Sequence, residues 1–106
     1  MSGPRGGMIE ILEFKPLLKN TLRGFVSIRF PFGLVIKDIT IHTKGGREWC
    51  GMPSKPQLDR EGKLRYDDNG KLLYANILEW RDRDTADRFS ATVIRLVREK
   101  YPNAEF

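Results

Sequence analysis

The chain has 106 residues, enough for one domain and too few for two, and 40% of them are hydrophobic, enough for a modest core. No apolar run reaches the length of a membrane span, and a single cysteine excludes an internal disulfide, which fits a reducing, cytoplasmic setting. Nineteen Lys and Arg against 14 Asp and Glu leave a net charge of +5, which favours polyanionic partners, nucleic acid first and an anionic membrane surface second.

Residues 1–7 have no apolar stretch of the secretory kind and read as a flexible tail ahead of a single domain over residues 8–106. Residues 8–15 (MIEILEFK) alternate imperfectly and predict a first strand, placed at an edge and ended by Pro16. Residues 17–21 read as a connector. Residues 24–30 (GFVSIRF) predict a second strand with Val26, Ile28 and Phe30 on one face and Phe25, Ser27 and Arg29 on the other. Phe30-Pro31-Phe32-Gly33 is a tight connection into a third strand over residues 34–42. Lys44-Gly45-Gly46-Arg47 fits a primed hairpin turn, which needs positive φ. A fourth strand over residues 48–52 then stops at Pro53 and Pro56.

Residues 57–71 read as a polar loop with an internal echo. The octet DREGKLRY of residues 59–66 is followed at once by DDNGKLLY of residues 67–74. Each is a turn (Asp…Gly-Lys) running into Leu-x-Tyr. The plain reading is two successive turns; a calcium loop finds little support, because the ligand spacing and terminal Glu of an EF-hand are missing. Residues 72–80 (LLYANILEW) predict a fifth strand. Asp84 or Thr85 then caps a helix from residue 86 to about 101. Ala86, Phe89, Val93, Ile94, Val97 and Tyr101 recur on it at three- and four-residue intervals and form one apolar stripe. Pro102 forbids continuation. With no strand–helix–strand alternation, the order predicts an α+β fold: a curved antiparallel sheet of four to five strands with one C-terminal amphipathic helix.

Catalysis finds little support. The lone His42 has no Cys or His at ligand spacing and reads as a strand-end residue, so no metal site and no cofactor motif is expected. Asp38, odd among apolar neighbours, pairs with Arg29 or Lys37 across strands or accepts turn N–H groups. It has no second group to make a catalytic set. Cys50 reads as a small, half-buried strand residue rather than a reactive thiol. The leading site is basic and aromatic. Arg23, Phe25 and Arg29 share a face of the second strand, and Lys37 lies on its neighbour. Lys44 and Arg47 flank the Gly-Gly turn, Trp49 follows, and Lys55 is held between two prolines. Cations neutralise phosphates and flat rings stack on unpaired bases. The plainer reading puts Trp49 and Phe25 in the core and makes the cations a solvated face. The helix cations Arg88, Arg95, Arg98 and Lys100, with Arg81 and Arg83 before them, read as solvation of its outer face.

Over residues 35–55 the chain resembles the stage V sporulation protein G (septation regulator) family. The residues that carry the likeness are Val35-Ile36-Lys37-Asp38-Ile39, the Gly-Gly turn, an aromatic, and Met52-Pro53-Ser54-Lys55. The loop after Lys55 is longer here than in that family. The resemblance implies a small cytosolic bacterial protein with a mostly antiparallel sheet, a C-terminal helix and a dimeric assembly that binds DNA, in some members also RNA. It puts Lys55 forward as a nucleic-acid contact and Ser54 beside it as a phosphate donor. The architecture is also similar to the sheet-and-helix dimers of single-strand-binding transcription coactivators, which implies unpaired DNA as a target. The expectation is a non-enzymatic homodimer that binds nucleic acid. A protein–protein adaptor without nucleic-acid binding is the alternative.

Overall fold

The structure, a computed structural model, describes residues 9–106; the expected tail over residues 1–7 and the start of the first strand at Met8 lie outside the described residues. Six strands precede one helix: β1 (Glu10–Lys19), β2 (Leu22–Arg29), β3 (Val35–Lys44), β4 (Arg47–Gly51), β5 (Ser54–Pro56), β6 (Tyr74–Asn76) and α1 (Arg83–Lys100). The first four form an antiparallel meander in the order β1-β2-β3-β4, and β5 and β6 form a separate antiparallel pair. The expected α+β class, with an open sheet and one C-terminal helix, is what the chain adopts.

The period-2 pattern of β2 and β3 puts Val26, Ile28, Ile39 and Ile41 on one face. The helix stripe Phe89, Val93, Ile94 and Val97 covers that face, and Ile11 and Phe14 of β1 complete the core. Tyr101 and Phe106 pack back onto the Phe14 ring at 5.8 and 5.7 Å between centroids. That ring lies so close against Gly24 that a β-carbon there would collide with it. Among the described residues no helix covers the opposite face of the sheet.

Two departures in the main sheet have local causes. β1 does not end at Pro16 but runs to Lys19, with Pro16 opposite Gly24. As β1 is an edge strand, the missing proline N–H costs no ladder bond. Residues 17–21 therefore shrink from a connector to a turn at Asn20 (φ 55°) and Thr21. The expected helix start also moves. Asp82, not Asp84 or Thr85, is the N-cap, and its carboxylate accepts from Thr85 N at 2.8 Å. Asp84 instead lies in the first turn, where it complements the macrodipole.

The larger departure is the fifth strand. Only Tyr74–Asn76 is strand, and it pairs with Ser54–Pro56 instead of joining the main sheet. The polar loop between them is ordered as two hairpins of the same build. Asp59 N donates to Lys63 O and Gly62 N to Asp59 O, while the Asp59 carboxylate accepts from Glu61 N and Lys63 N. Asp67, Asn69, Gly70 and Lys71 repeat each of these bonds eight residues later. Gly62 and Gly70 share φ 81°, the left-handed residue that closes such a turn. The sequence echo is thus a structural one. At its root three backbone bonds form a closed cycle: Gln57 N to Leu73 O (2.9 Å), Leu73 N to Arg65 O (2.9 Å) and Arg65 N to Gln57 O (3.2 Å). Leu73 has spent both of its backbone groups here, so no longer strand runs through it into the main sheet. This three-legged arm lengthens the molecule, whose extents are 51 × 30 × 24 Å.

Candidate functional site

The register defines the uncovered face. Thr40 lies between Phe25 and Gly51, and His42 lies between Leu22 and Trp49. Lys44 and Arg47 close the β3–β4 hairpin beyond them. The Gly45-Gly46 turn has φ of 59° and 83°, as a primed two-residue turn requires, and so fixes His42 opposite Trp49.

The two rings stack at 5.3 Å with 7° between their planes. The Arg47 guanidinium sits 5.4 Å from the indole centre. Hydroxyls hold the imidazole at both nitrogens, Thr21 Oγ1 to Nδ1 and Thr40 Oγ1 to Nε2, each at 2.9 Å. Gly51 makes room for this arrangement, because a β-carbon there would strike the Thr40 hydroxyl. Burial, and then the charge of Arg23, hold the His42 pKa below its ordinary value. Arg23 is in turn anchored by bonds from its guanidinium to Asn20 O and Leu22 O at 2.8 and 2.9 Å. Arg23, His42, Trp49, Arg47 and Lys44 therefore form one band across the end of the open face.

Of the residues expected in the site, Arg23, Phe25, Lys44, Arg47 and Trp49 lie on this face, with Phe25 one row inward of the band. Arg29 is at the far end of β2 and is held by Glu10 Oε1, at 3.1 Å from Nε and 2.5 Å from Nη2. Lys37 and Asp38 occupy a β-bulge where β3 sets two residues against Ser27. Asp38 has φ 62°, so its role is conformational: Asp tolerates the left-handed region that the bulge needs. The expected ion pair of Asp38 with Arg29 or Lys37 is not formed. Ser54 and Lys55 are exposed on β5, Lys55 opposite Ala75, and so belong to the arm and not to the band. His42 was missed by residue type alone, yet counting back two residues on each side of the Lys44–Arg47 turn puts it against Trp49.

Several cations elsewhere are paired. On the helix side Arg81 meets Asp82, Arg83 meets Asp87, Arg95 meets Glu99 and Arg98 meets Glu48. Lys100 Nζ donates to Ile11 O at 2.6 Å. Arg23, Lys37, Lys44, Arg47 and Lys55 make no ion pair among the described residues, and neither do Lys19, Arg60, Arg65, Lys71, Arg88 and Lys100.

Cys50 faces the helix, where its N–H donates to Ser90 Oγ at 3.0 Å. Burial pushes its thiol pKa up to about 12, which leaves no thiolate for nucleophilic work at neutral pH. Among the described residues no cluster of His, Cys, Asp and Glu could hold a metal ion, and no helix is long and apolar enough to cross a membrane. An open cleft of about 490 Å³ runs between β4 and the start of α1, beside the band, lined by Trp49, Trp80, Arg83, Asp87 and Ser90. No protein family, curated protein or solved structure matches the chain.

Proposed function

We propose that the protein is a non-enzymatic, homodimeric nucleic-acid-binding regulator that grips single-stranded DNA on its open sheet face. The observation that carries this reading is the contrast in pairing. Arg23, Lys44 and Arg47, which flank the His42–Trp49 stack, lack carboxylate partners, whereas Arg83, Arg95 and Arg98 of the helix have them. Unpaired cations release counterions when they meet phosphates. Phe25 and Trp49 supply flat surfaces for unpaired bases, and stacking of this kind tolerates any sequence. A four-stranded sheet with one face bare leaves room for an extended strand across the rows. RNA would satisfy the same contacts. Ser54 and Lys55 serve a strand that continues toward the arm.

Fluorescence anisotropy with single-stranded and duplex oligonucleotides at two salt concentrations tests the proposal. If Arg23, Lys44 and Arg47 each meet one phosphate, single-strand affinity falls roughly twentyfold between 50 and 200 mM salt. Absence of binding at low salt removes the reading. Salt-insensitive capture of a protein partner would favour an adaptor in its place.

A further inference from the structure

The arm carries four of the exposed large apolar side chains, Leu58, Leu64, Tyr66 and Tyr74, and its symmetry concentrates them on one side. Residues eight apart are equivalent around the cycle of Gln57, Arg65 and Leu73. Each leg begins with one directly opposed pair: Pro56 with Tyr74, Leu58 with Leu64, and Tyr66 with Leu72. Directly opposed residues of an antiparallel pair project to the same side. A threefold relation keeps that side common to all three legs. Six apolar side chains therefore form a rosette on one face of the junction. The intervening side chains turn the other way, where Arg65 Nη1 donates to Gln57 Oε1 at 3.0 Å.

The rosette is uncovered. Leu58, Leu64, Tyr66 and Tyr74 are 59%, 47%, 57% and 56% exposed. Ladders of two or three residues have no core of their own and are marginal in water unless an apolar face is covered. We propose that a second copy of the chain covers it, the two rosettes meeting face to face. The proposal rests on the homodimeric reading above and names its surface.

Three observations favour a second copy as occupant. The arm from Ser54 to Asn76 has five Lys and Arg against four Asp and Glu, so it exerts little field on a polyanion and two arms scarcely repel. A disc of apolar pairs is self-complementary, as a twofold contact requires. Five exposed side chains and the partly buried Leu72 on each copy bury roughly 1,000 Å² in total, which reaches the lower bound of a specific but weak interface. The dimer should thus be reversible, with a dissociation constant in the micromolar range.

Sedimentation equilibrium of the full chain from about 1 to 200 µM tests this, with a Leu58→Ser, Tyr66→Ser double variant and Phe32→Ser as control. Phe32 is 78% exposed and lies in the β2–β3 turn, outside the arm. The expected result is a wild-type and Phe32→Ser dimer, and at least a tenfold weaker dimer in the double variant. The amide signals of Gly62 and Gly70, displaced by their positive φ, report whether the hairpins survive. Should they not, methyl shifts of Leu58, Leu64 and Leu72 on dilution of the wild-type chain decide the matter. A wild-type monomer at 200 µM, an unaffected double variant, dilution shifts confined to residues outside the arm, or dissociation by Phe32→Ser would each overturn the proposal. A dimer that binds no oligonucleotide leaves this interface standing and removes the nucleic-acid reading. A monomer that binds does the reverse.

Discussion

The two sides of the main sheet both carry cations and use them differently. On the helix side Arg83 and Arg95 sit four residues from a carboxylate and Arg98 lies across from Glu48, so the charge of these three is spent locally. On the open side Arg23 and Arg47 bond to backbone carbonyls or lie over a ring, which fixes their position but leaves the charge whole. A net charge of +5 is therefore a poor guide to where a polyanion would bind. Pairing separates a solvated surface from one still able to attract phosphate.

The severest way to break the contrast is to detach the helix. Ile39 is fully buried at the centre of the sheet, and Ile39→Ala should cost about 2–5 kcal/mol, measured by urea unfolding. A cost under about 1 kcal/mol would mean that the helix does not hold the sheet. A smaller effect sharpens the contrast directly. Arg23→Ala with Arg47→Ala should lower single-strand affinity about tenfold and reduce the salt slope by about 1.4. The matching change on the helix, Arg95→Ala with Arg98→Ala, should leave affinity within about twofold and cost at most about 1 kcal/mol of stability, as exposed ion pairs do. Equal losses from the two double variants would erase the distinction.

The smallest effect is titration of His42. Its folded pKa lies below the ordinary 6.5, so the unfolded chain takes the proton first as pH falls. Stability contributed by neutral His42 is present above about pH 6.5 and declines below it. Histidine NMR should show a midpoint under 6.5 that rises in Arg23→Gln. An unchanged midpoint would remove Arg23 from the band.

The legible parts were those with enough residues to show a period. Eight residues of β2 alternate cleanly, and the stripe from Phe89 to Val97 marks the buried side of α1. Pro16 misled because proline reads as a stop, whereas at an edge it is tolerated. Asp82, Asp84 and Thr85 all offer a capping oxygen within four residues, and local chemistry does not rank them. The arm was hidden for a deeper reason. Its legs are two or three residues long, too short for any alternation, and apolar LLYANILEW looks like one strand. What divides it is hydrogen bonding to partners eight and sixteen residues earlier. The site was partly legible: residue types found Arg23, Arg47 and Trp49, but only register separates them from Arg29 and joins them to His42.

Ring closure at Gln57, Arg65 and Leu73 makes the length of this segment discrete. Excising residues 59–66 would remove one spoke and let the Leu73 amide close on the Gln57 carbonyl as one ordinary hairpin, and inserting a further octet would ask three-sided geometry to admit a fourth side. Ordinary surface loops drift in length by single residues; this one can lengthen freely only at its hairpin tips, around Arg60 and Asp68, where the hub would not notice.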